Sequence, residues 1–291
     1  MGGYLKVIAA AIIWGSVGVV VRLIDLPAPV MVFYRVSFAS IAILAFIATQ
    51  RKIGVLAVGK NIYALSLMGT ILALNWTSYF NSIQLTSIAN AALITYTAPV
   101  FVAILSPFVL KEKLERITVV TLLVSLIGAA LITAPSAVRL SGQNLSGIAW
   151  ASASAVTYAT LVLLAKPLTL RVSVLAILFF EELSGAILLS PSLLLYDFTI
   201  DPLTIFFLFI LGAFHTALPA GLYLSGLRDI KAQQVGIFTY VDPVSAVIFA
   251  AIFLGEIPGA TTLIGGTLII LSGLILVLAT RRRVETEVVA E

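Results

Sequence analysis

Cysteine is absent from this chain of 291 residues, and histidine occurs once. Without cysteine there is no disulfide framework, no thiolate zinc site, no iron–sulfur cluster and no cysteine nucleophile. A single histidine also excludes a metal centre built from several imidazoles. The sequence therefore predicts neither a bound metal nor a cofactor.

Charged residues are also scarce. They make up 10% of the chain, against roughly 25% in an ordinary soluble domain. Hydrophobic residues make up 61%, and the mean hydropathy is +1.15. The 17 basic and 13 acidic residues cannot cover the surface of a 30.9 kDa globule in water. This composition excludes a water-soluble protein and indicates a chain surrounded mostly by lipid.

The basic residues do not indicate a nucleic-acid partner, although the sequence pI is about 9.4. They occur in short groups beside apolar runs and build no basic face on a soluble element. The chain also lacks the G-x-x-x-x-G-K-[ST] loop that would hold ATP phosphates. Both nucleic-acid binding and ATP-driven pumping are therefore excluded.

Long apolar windows dominate what is present. A hydrocarbon core of roughly 30 Å needs about 20 residues of helix, and ten such windows occur. The connections between them are too short for a soluble domain. The sequence therefore predicts an all-α membrane protein with ten transmembrane helices, at approximately residues 5–24, 28–49, 62–85, 87–110, 114–134, 146–166, 172–195, 203–227, 231–254 and 260–280.

The basic residues sort to one side of this topology. With ten spans, both termini and alternate loops share a side, and that side collects fourteen of the 17 basic residues. Arg22 and Arg139 fall on the other side, and Arg35 lies inside a span. Because cytoplasmic loops carry the excess of Lys and Arg, both termini are expected in the cytoplasm and the chain in the cytoplasmic membrane.

The two halves of the sequence resemble each other at an offset of 144 residues. The segment 79–112 aligns without a gap with 223–256, and the matches include Tyr, Pro and Glu rather than apolar residues alone. Because each copy has five spans, an odd number, the second copy would have the opposite orientation in the membrane. We therefore predict two inverted five-helix repeats, 1–140 and 141–283, followed by a cytoplasmic tail, 284–291. Such repeats are typical of secondary transporters, whose substrate site lies between the copies near the membrane midplane.

Each repeat ends its fourth span with a proline and then an L-x-E step. The two segments read T-A-P-V-F-V-A-I-L-S-P-F-V-L-K-E at 97–112 and V-D-P-V-S-A-V-I-F-A-A-I-F-L-G-E at 241–256. This pattern resembles EamA-type members of the drug/metabolite transporter superfamily, over nearly the whole chain. The resemblance implies a ten-helix carrier, commonly an exporter of amino acids or other small metabolites, without an ATP-binding part.

Pro99 and Pro243 are equivalent prolines inside the fourth and ninth spans. A proline removes an N–H and leaves the carbonyl four residues earlier, here at Thr95 and Thr239, without its helical partner. Each is predicted to kink its span. The kinks are either static bends that improve packing or, because both repeats have one at the same depth, paired hinges for alternating access.

Aromatic and polar residues recur at mid-span positions of both repeats. A hydroxyl or amide within the membrane needs a partner, so these positions favour a cavity wall over lipid contact. The cavity would suit an amphipathic or aromatic solute. The predicted substrate-binding residues are Trp14, Asn75, Tyr79, Tyr96, Tyr158, His215, Tyr223 and Tyr240.

Ionisable groups inside spans are functional candidates because lipid makes them costly. Asp242, next to Pro243, would carry a proton, bind a substrate amine, or form a structural pair with Arg35. Arg35 with the adjacent Glu181 and Glu182 suits charge pairs between helices, and only one of the two glutamates is expected to face inward. His215 is a hydrogen-bonding wall residue or a proton relay.

The sequence therefore predicts a secondary transporter rather than an enzyme. It is expected to export a small amphipathic metabolite, such as an amino acid, by alternating access. A membrane-embedded enzyme and a channel are the alternatives. The expected partners are the solute and the lipid bilayer. Small residues in spans five and ten (Thr121, Ser125, Ala129, Gly266 and Gly273) suit helix packing or a homodimer face. Substrate, direction and proton coupling are left open.

Overall fold

The computed structural model describes residues 2–21, 23–86, 88–133, 145–255 and 257–290. Within these ranges it does not describe the side chains of 83, 84, 88–90, 254 and 281–290. Arg22, Arg139 and Glu256, which the topology and repeat arguments use, lie outside the described residues. The described part of the chain is helical and contains no β-strand.

The first half contains seven α-helices and two short 3-10 turns, Ile53–Leu56 and Gly59–Asn61. Two of the predicted spans are each split into two helices, α1 with α2 and α5 with α6. The helices are α1 (Gly2–Gly15), α2 (Val17–Val21), α3 (Ala28–Thr49), α4 (Ile62–Leu85), α5 (Ile88–Thr95), α6 (Ala98–Val109) and α7 (Arg116–Thr133).

The second half contains eight α-helices and one π-helical turn, Ala213–Ala217, which joins α11 to α12. The predicted ninth span is split, as the fourth is. The last helix continues to Ala290 and so includes the predicted tail. The helices are α8 (Leu145–Thr169), α9 (Val174–Leu189), α10 (Ser192–Leu195), α11 (Pro202–Gly212), α12 (Leu218–Asp229), α13 (Ala232–Thr239), α14 (Val241–Leu254) and α15 (Ala260–Ala290).

Nine helical stretches in the described residues are long and apolar enough to cross a membrane. They match nine of the ten predicted windows, which confirms a multi-pass helical membrane protein. Helix α4 has the length of a span, with 24 residues, but is not among the nine. Its second half contains Asn75, Thr77, Ser78 and Asn81, which lower its hydropathy. The count of ten spans stays a prediction.

These helices are apolar on several faces because lipid rather than water surrounds them. Phe108, Leu194 and Leu203 are 79%, 91% and 62% exposed, which would be costly in water. In lipid the backbone must satisfy its own hydrogen bonds, and a helix does so within one segment. The exposed apolar side chains are thus the expected outer surface of a membrane bundle.

Helices of the first half pack directly against helices of the second half. Helix α1 packs on α12 and α14, α4 packs on α8 and α9, and α7 packs on α15. A Cβ added to Gly128 of α7 would lie 2.6 Å from the Gly265 carbonyl oxygen of α15, so only small residues fit there. Ser125 and Ser272 are hydrogen-bonded at the same contact. The small-residue face of span five therefore packs within one chain.

Candidate site at the centre of the bundle

Four irregularities of the backbone meet at the contact between the two halves. They are Ser16 between α1 and α2, the turn at Tyr96 and Thr97, the π-helical turn Ala213–Ala217, and Tyr240 between α13 and α14. Non-helical backbone is tolerated at membrane depth only where protein or a cavity surrounds it. These four places therefore outline the candidate site.

Tyr96 and Tyr240 join the breaks of the two halves directly. The Tyr240 hydroxyl donates to the Tyr96 carbonyl at 2.5 Å, and the two rings are 6.2 Å apart. The hydrogen bond satisfies a carbonyl that the break exposes. Beside this pair, a Cβ on Gly236 would lie 2.7 Å from the Pro99 Cβ, so a glycine is needed for α13 to approach α6 this closely.

Pro99 and Pro243 each lie just after a complete break between two helices. The prediction was a kink within one continuous helix. Helix α5 stops at Thr95, and Pro99 lies in the first turn of α6. Likewise α13 stops at Thr239, and Pro243 lies in the first turn of α14. A proline is accommodated there because the first N–H groups of a helix have no intrahelical partner. The clash of each proline with the carbonyl four residues earlier is relieved by a complete break.

Three predicted aromatic residues form a second group. The Tyr158 hydroxyl donates to the Tyr223 hydroxyl at 3.2 Å. The rings of Trp14 and Tyr223 are 5.4 Å apart. These contacts join α1, α8 and α12, so the structure brings together three residues that are distant in the sequence.

Asp242 lies in the first turn of α14, directly after the Tyr240 break. Its carboxylate is in electrostatic reach of Tyr79, Tyr96 and Tyr158. Its side chain is partly exposed, and within the described residues it has no ion-pair or hydrogen-bond partner. The N-terminus of a helix stabilises a carboxylate without a cation. Pairing with Arg35, one of the predicted alternatives, is not found in the described part of the chain.

Arg35 is 1% exposed and has other partners. Its Nε donates to the Thr216 hydroxyl at 2.6 Å, and its guanidinium lies 3.9 Å from the centre of the Trp76 ring. The Nη1 atom has no hydrogen-bond partner. Glu182 is near enough to interact with Arg35 electrostatically, without reaching ion-pair distance among the described residues. Arg35 therefore links α3, α4 and the π-helical turn.

The expectation that only one of the adjacent glutamates faces inward is wrong. Glu181 is 8% exposed and Glu182 is 3% exposed. Helix α9 has α3 on one side and α4 on another, so two of its faces are interior. Glu181 is in electrostatic reach of Tyr223, whereas Glu182 faces the Arg35 side. One oxygen of Glu182 is buried without a partner.

His215 connects two of the irregularities. Its Nδ1 donates to the Ile210 carbonyl at 3.3 Å, because a carbonyl only accepts. Its Nε2 lies 2.9 Å from the Ser16 hydroxyl, which is also 2.7 Å from the Ile13 carbonyl. The histidine is therefore a hydrogen-bonding residue between the first span and the π-helical turn. Among the described residues no three His, Asp or Glu side chains meet as a metal-ligand set.

Asn75 differs in placement from the other predicted wall residues. Its amide nitrogen lies 2.7 Å from the Ser154 carbonyl and 3.1 Å from the Thr157 hydroxyl. Both acceptors belong to α8, against which α4 packs. The amide donor is thus engaged in a helix-to-helix contact rather than directed at a solute.

Sequence reasoning missed Ser16 and Thr216, which are the partners of His215 and Arg35. A signal for Ser16 was present in the Gly15–Ser16 pair within an apolar span, since such pairs accompany breaks in helices. Nothing in the sequence marks Thr216 apart from its position beside His215. Its side chain bonds the Leu211 carbonyl five residues earlier, which depends on the π-helical turn.

Comparison with known proteins supplies the family. The model of the EamA-like transporter family matches residues 1–134 and 145–279. This chain belongs to that family. The predicted resemblance is thereby confirmed, and the protein is a membrane transporter by family.

Two curated relatives and one solved structure illustrate the breadth of this EamA-like family. The chain is 31% identical to YetK, an uncharacterized transporter of Bacillus subtilis (strain 168), over 88% of this chain and 81% of the relative. It is 24% identical to an S-adenosylmethionine uptake transporter of Rickettsia bellii (strain RML369-C), over 88% and 86%. A protein crystal structure superposes with a TM-score of 0.85 at 18% identity, covering 96% of this chain and 98% of its own; that likeness shows the fold alone.

One end of this EamA-like bundle is held together by polar contacts between the halves. Both carboxylate oxygens of Glu112 accept from the Ala232 N–H, at 3.0 and 3.1 Å, at the start of α13. The Gln233 amide donates to the Lys113 carbonyl at 2.9 Å, and Lys231 pairs with Glu115 at 2.6 Å. The L-x-E step of the first repeat thus caps a helix of the second. We name this the Glu112 end.

The opposite end contains an open space. A cavity of about 420 Å³ is lined by Tyr96 and Pro243 at the breaks. Its lining also includes Thr133 at the end of α7, Pro258 between α14 and α15, and Thr262 at the start of α15. Since α7 begins at Arg116 beside the Glu112 end and finishes at Thr133, this cavity lies toward the other side of the bundle. We name this the Thr262 end.

Proposed function

We propose that this chain is a secondary transporter that moves a small amphipathic metabolite, such as an amino acid, across the cytoplasmic membrane by alternating access. The observation that carries the proposal is the meeting of four helix irregularities, from both halves, around the aromatic residues and Asp242. Secondary transporters bind solute at such discontinuous helices between their repeats.

The contact between Tyr96 and Tyr240 supports an arrangement as two inverted repeats. The two residues are equivalent at the 144-residue offset, follow equivalent breaks and touch each other. Equivalent residues meet in this way when they lie close to a symmetry axis. On this proposal α4 also crosses the membrane, which brings the number of spans to ten. Residues 1–140 and 141–283 are the two units, with both termini cytoplasmic.

The difference between the two ends supports alternating access. The Glu112 end is tied by contacts between the halves, whereas the Thr262 end has a cavity that extends to Tyr96. A carrier that exchanges its gates needs one end closed while the other is open. With the termini in the cytoplasm, the open end would face outward.

The relatives named S-adenosylmethionine uptake transporters support a solute in the amino-acid class. They do not favour outward movement, which we propose from the family resemblance and which needs its own measurement. A membrane-embedded enzyme and a channel are the competing functions.

The test is flux of radiolabelled amino acids into proteoliposomes of the purified chain. We expect saturable uptake that unlabelled solute on the opposite face accelerates, because a carrier returns faster when loaded. Flux without saturation or acceleration would indicate a channel, and appearance of a new product would indicate an enzyme. Sidedness of the inserted protein, read by protease, would give the direction.

The breaks provide matched variants. Pro99→Ala with Pro243→Ala should lower the maximum rate more than the apparent affinity, because alanine removes the constraint that separates each pair of helices. Pro107→Ala changes a proline inside α6, away from the break, and is the control. Equal losses of rate and affinity would show that the two prolines only shape the site.

A further inference from the structure

Carboxylates outnumber cations around the centre of the bundle. Asp242, Glu181 and Glu182 lie near the breaks, whereas Arg35 is the cation that the described residues place there. Glu182 is the carboxylate close to Arg35. Within the described residues, neither Asp242 nor Glu181 has an ion-pair partner. An unpaired carboxylate in a low-dielectric interior attracts a positive charge strongly.

The walls near these two carboxylates are aromatic. Tyr79, Tyr96 and Tyr158 are in electrostatic reach of the Asp242 carboxylate, and Tyr223 is in electrostatic reach of Glu181. The faces of aromatic rings carry negative potential and attract ammonium groups, most strongly when water is excluded. The placement of the Arg35 guanidinium on the Trp76 ring is an example of this attraction within the same interior.

One unused polar group lies beside Tyr96. The Thr95 hydroxyl is enclosed and without a partner. An enclosed polar group without a partner is costly unless a ligand supplies one. An amine N–H can donate to this hydroxyl, whereas a quaternary ammonium has no N–H and relies on charge and on the aromatic rings.

We propose that the transported solute is recognised through a cationic group, an amine or a quaternary ammonium, which binds between Asp242 and the rings of Tyr79, Tyr96 and Tyr158. This inference rests on the proposed transport function and specifies its substrate class. Anionic solutes are disfavoured, because among the described residues three carboxylates lie near one cation, Arg35, whose Nε donates to Thr216 and whose guanidinium lies on the Trp76 ring. A neutral solute of the same shape lacks the electrostatic attraction to Asp242 and is expected to bind more weakly than a cation.

The test is a charge series of probes of nearly constant shape. The probes are 2-phenylethylamine (a cation at pH 7), benzyltrimethylammonium (a fixed cation), 2-phenylethanol (neutral) and 3-phenylpropanoate (an anion). Binding to the purified full chain is followed by tryptophan fluorescence, since Trp14 and Trp76 adjoin the site. We expect both cations to bind at least tenfold more tightly than the alcohol, and the anion to bind more weakly than the alcohol.

The Asp242→Asn variant should reduce the cation-to-alcohol ratio to near one while leaving alcohol binding within twofold. Asp229→Asn is the matched control, because Asp229 is an exposed carboxylate paired with Lys6 at a helix end, and it should leave the ratio unchanged. The series in the unmodified chain needs no variant, so the inference stays testable if Asp242→Asn fails to fold.

The outcomes separate this inference from the transport proposal. Equal binding of cations and alcohol, together with saturable flux of any neutral or anionic solute, would overturn the cation site and leave the transporter. Selective cation binding that Asp242→Asn abolishes, without flux of any probe, would retain the site and overturn the transport proposal.

Discussion

Removing the carboxylate of Glu112 should open the Glu112 end of the bundle. Both of its oxygens accept from the Ala232 N–H at 3.0 and 3.1 Å, so the group joins the halves and caps α13. A hydrogen bond to a charged group is worth about 1.5–3 kcal/mol, and the favourable charge at a helix N-terminus adds about 0.3–1 kcal/mol. Partial exposure of Glu112 reduces the total to about 2 kcal/mol for Glu112→Ala.

This free energy converts to a measurable rate. Since about 1.4 kcal/mol corresponds to a factor of ten, Glu112→Ala should raise the population with this end open by about 30-fold. The chain has no cysteine, so one introduced thiol gives a clean signal. Val235 lies in α13 behind the cap and is 0% exposed. The labelling rate of Val235→Cys by a water-soluble maleimide should rise by the same factor.

The ion pair between Lys6 and Asp229 provides the control at the same end. Its two side chains are 39% and 41% exposed, and exposed pairs contribute at most about 1 kcal/mol. Asp229→Asn should therefore change the labelling rate by no more than about fivefold. If Glu112→Ala accelerates labelling no more than Asp229→Asn does, the cap does not hold this end closed and the reasoning fails.

Two further predictions concern stability. Gly15→Val should lower the thermal midpoint by the equivalent of about 1–3 kcal/mol, because a Cβ there would lie 2.7 Å from the Ala246 nitrogen and 2.9 Å from the Asp242 carbonyl. Gly18→Val is the control, because a Cβ on Gly18 would have nothing within 4 Å. Equal midpoints of the two variants would refute the close approach at Gly15. The Asp201 carboxylate accepts from the Thr204 N–H at the start of α11, which lowers the pKa of Asp201. The stabilisation by this carboxylate is therefore present above the ordinary carboxyl pKa and is lost as pH falls through the lowered pKa. The difference in thermal midpoint between the parent and Asp201→Ala should be smaller at pH 3 than at pH 6. A midpoint difference independent of pH would exclude the cap.

The sequence by itself determined the class of the protein and most of its helices. With 10% charged residues and 61% hydrophobic residues, the chain has lipid as its solvent, and lipid permits helices whose backbone is satisfied internally. Nine of the ten predicted windows recur as membrane-length helices in the described residues. Two of the four backbone irregularities were also indicated, because Pro99 and Pro243 restrict the backbone wherever the chain folds.

Only the tertiary structure decided which side of each helix faces the centre. In a soluble protein the buried face of a helix can be identified from the sequence, because it lies opposite the polar face. These helices are apolar on nearly every side, so the sequence does not identify the buried face. The sequence therefore grouped Asn75 with the cavity residues, whereas α8 takes up its amide donor. It also placed only one of Glu181 and Glu182 inside, whereas α9 is enclosed on two faces.

Contacts between distant segments were equally beyond the sequence. Arg35 meets Thr216 across 181 residues, and Ser16 meets His215 across 199. Both contacts depend on the π-helical turn, which rotates the following residues relative to a regular helix. The identities of the polar residues were visible in the chain. Their pairing depends on how the two halves pack, because a polar side chain within the membrane can form hydrogen bonds only with groups on the helices next to it.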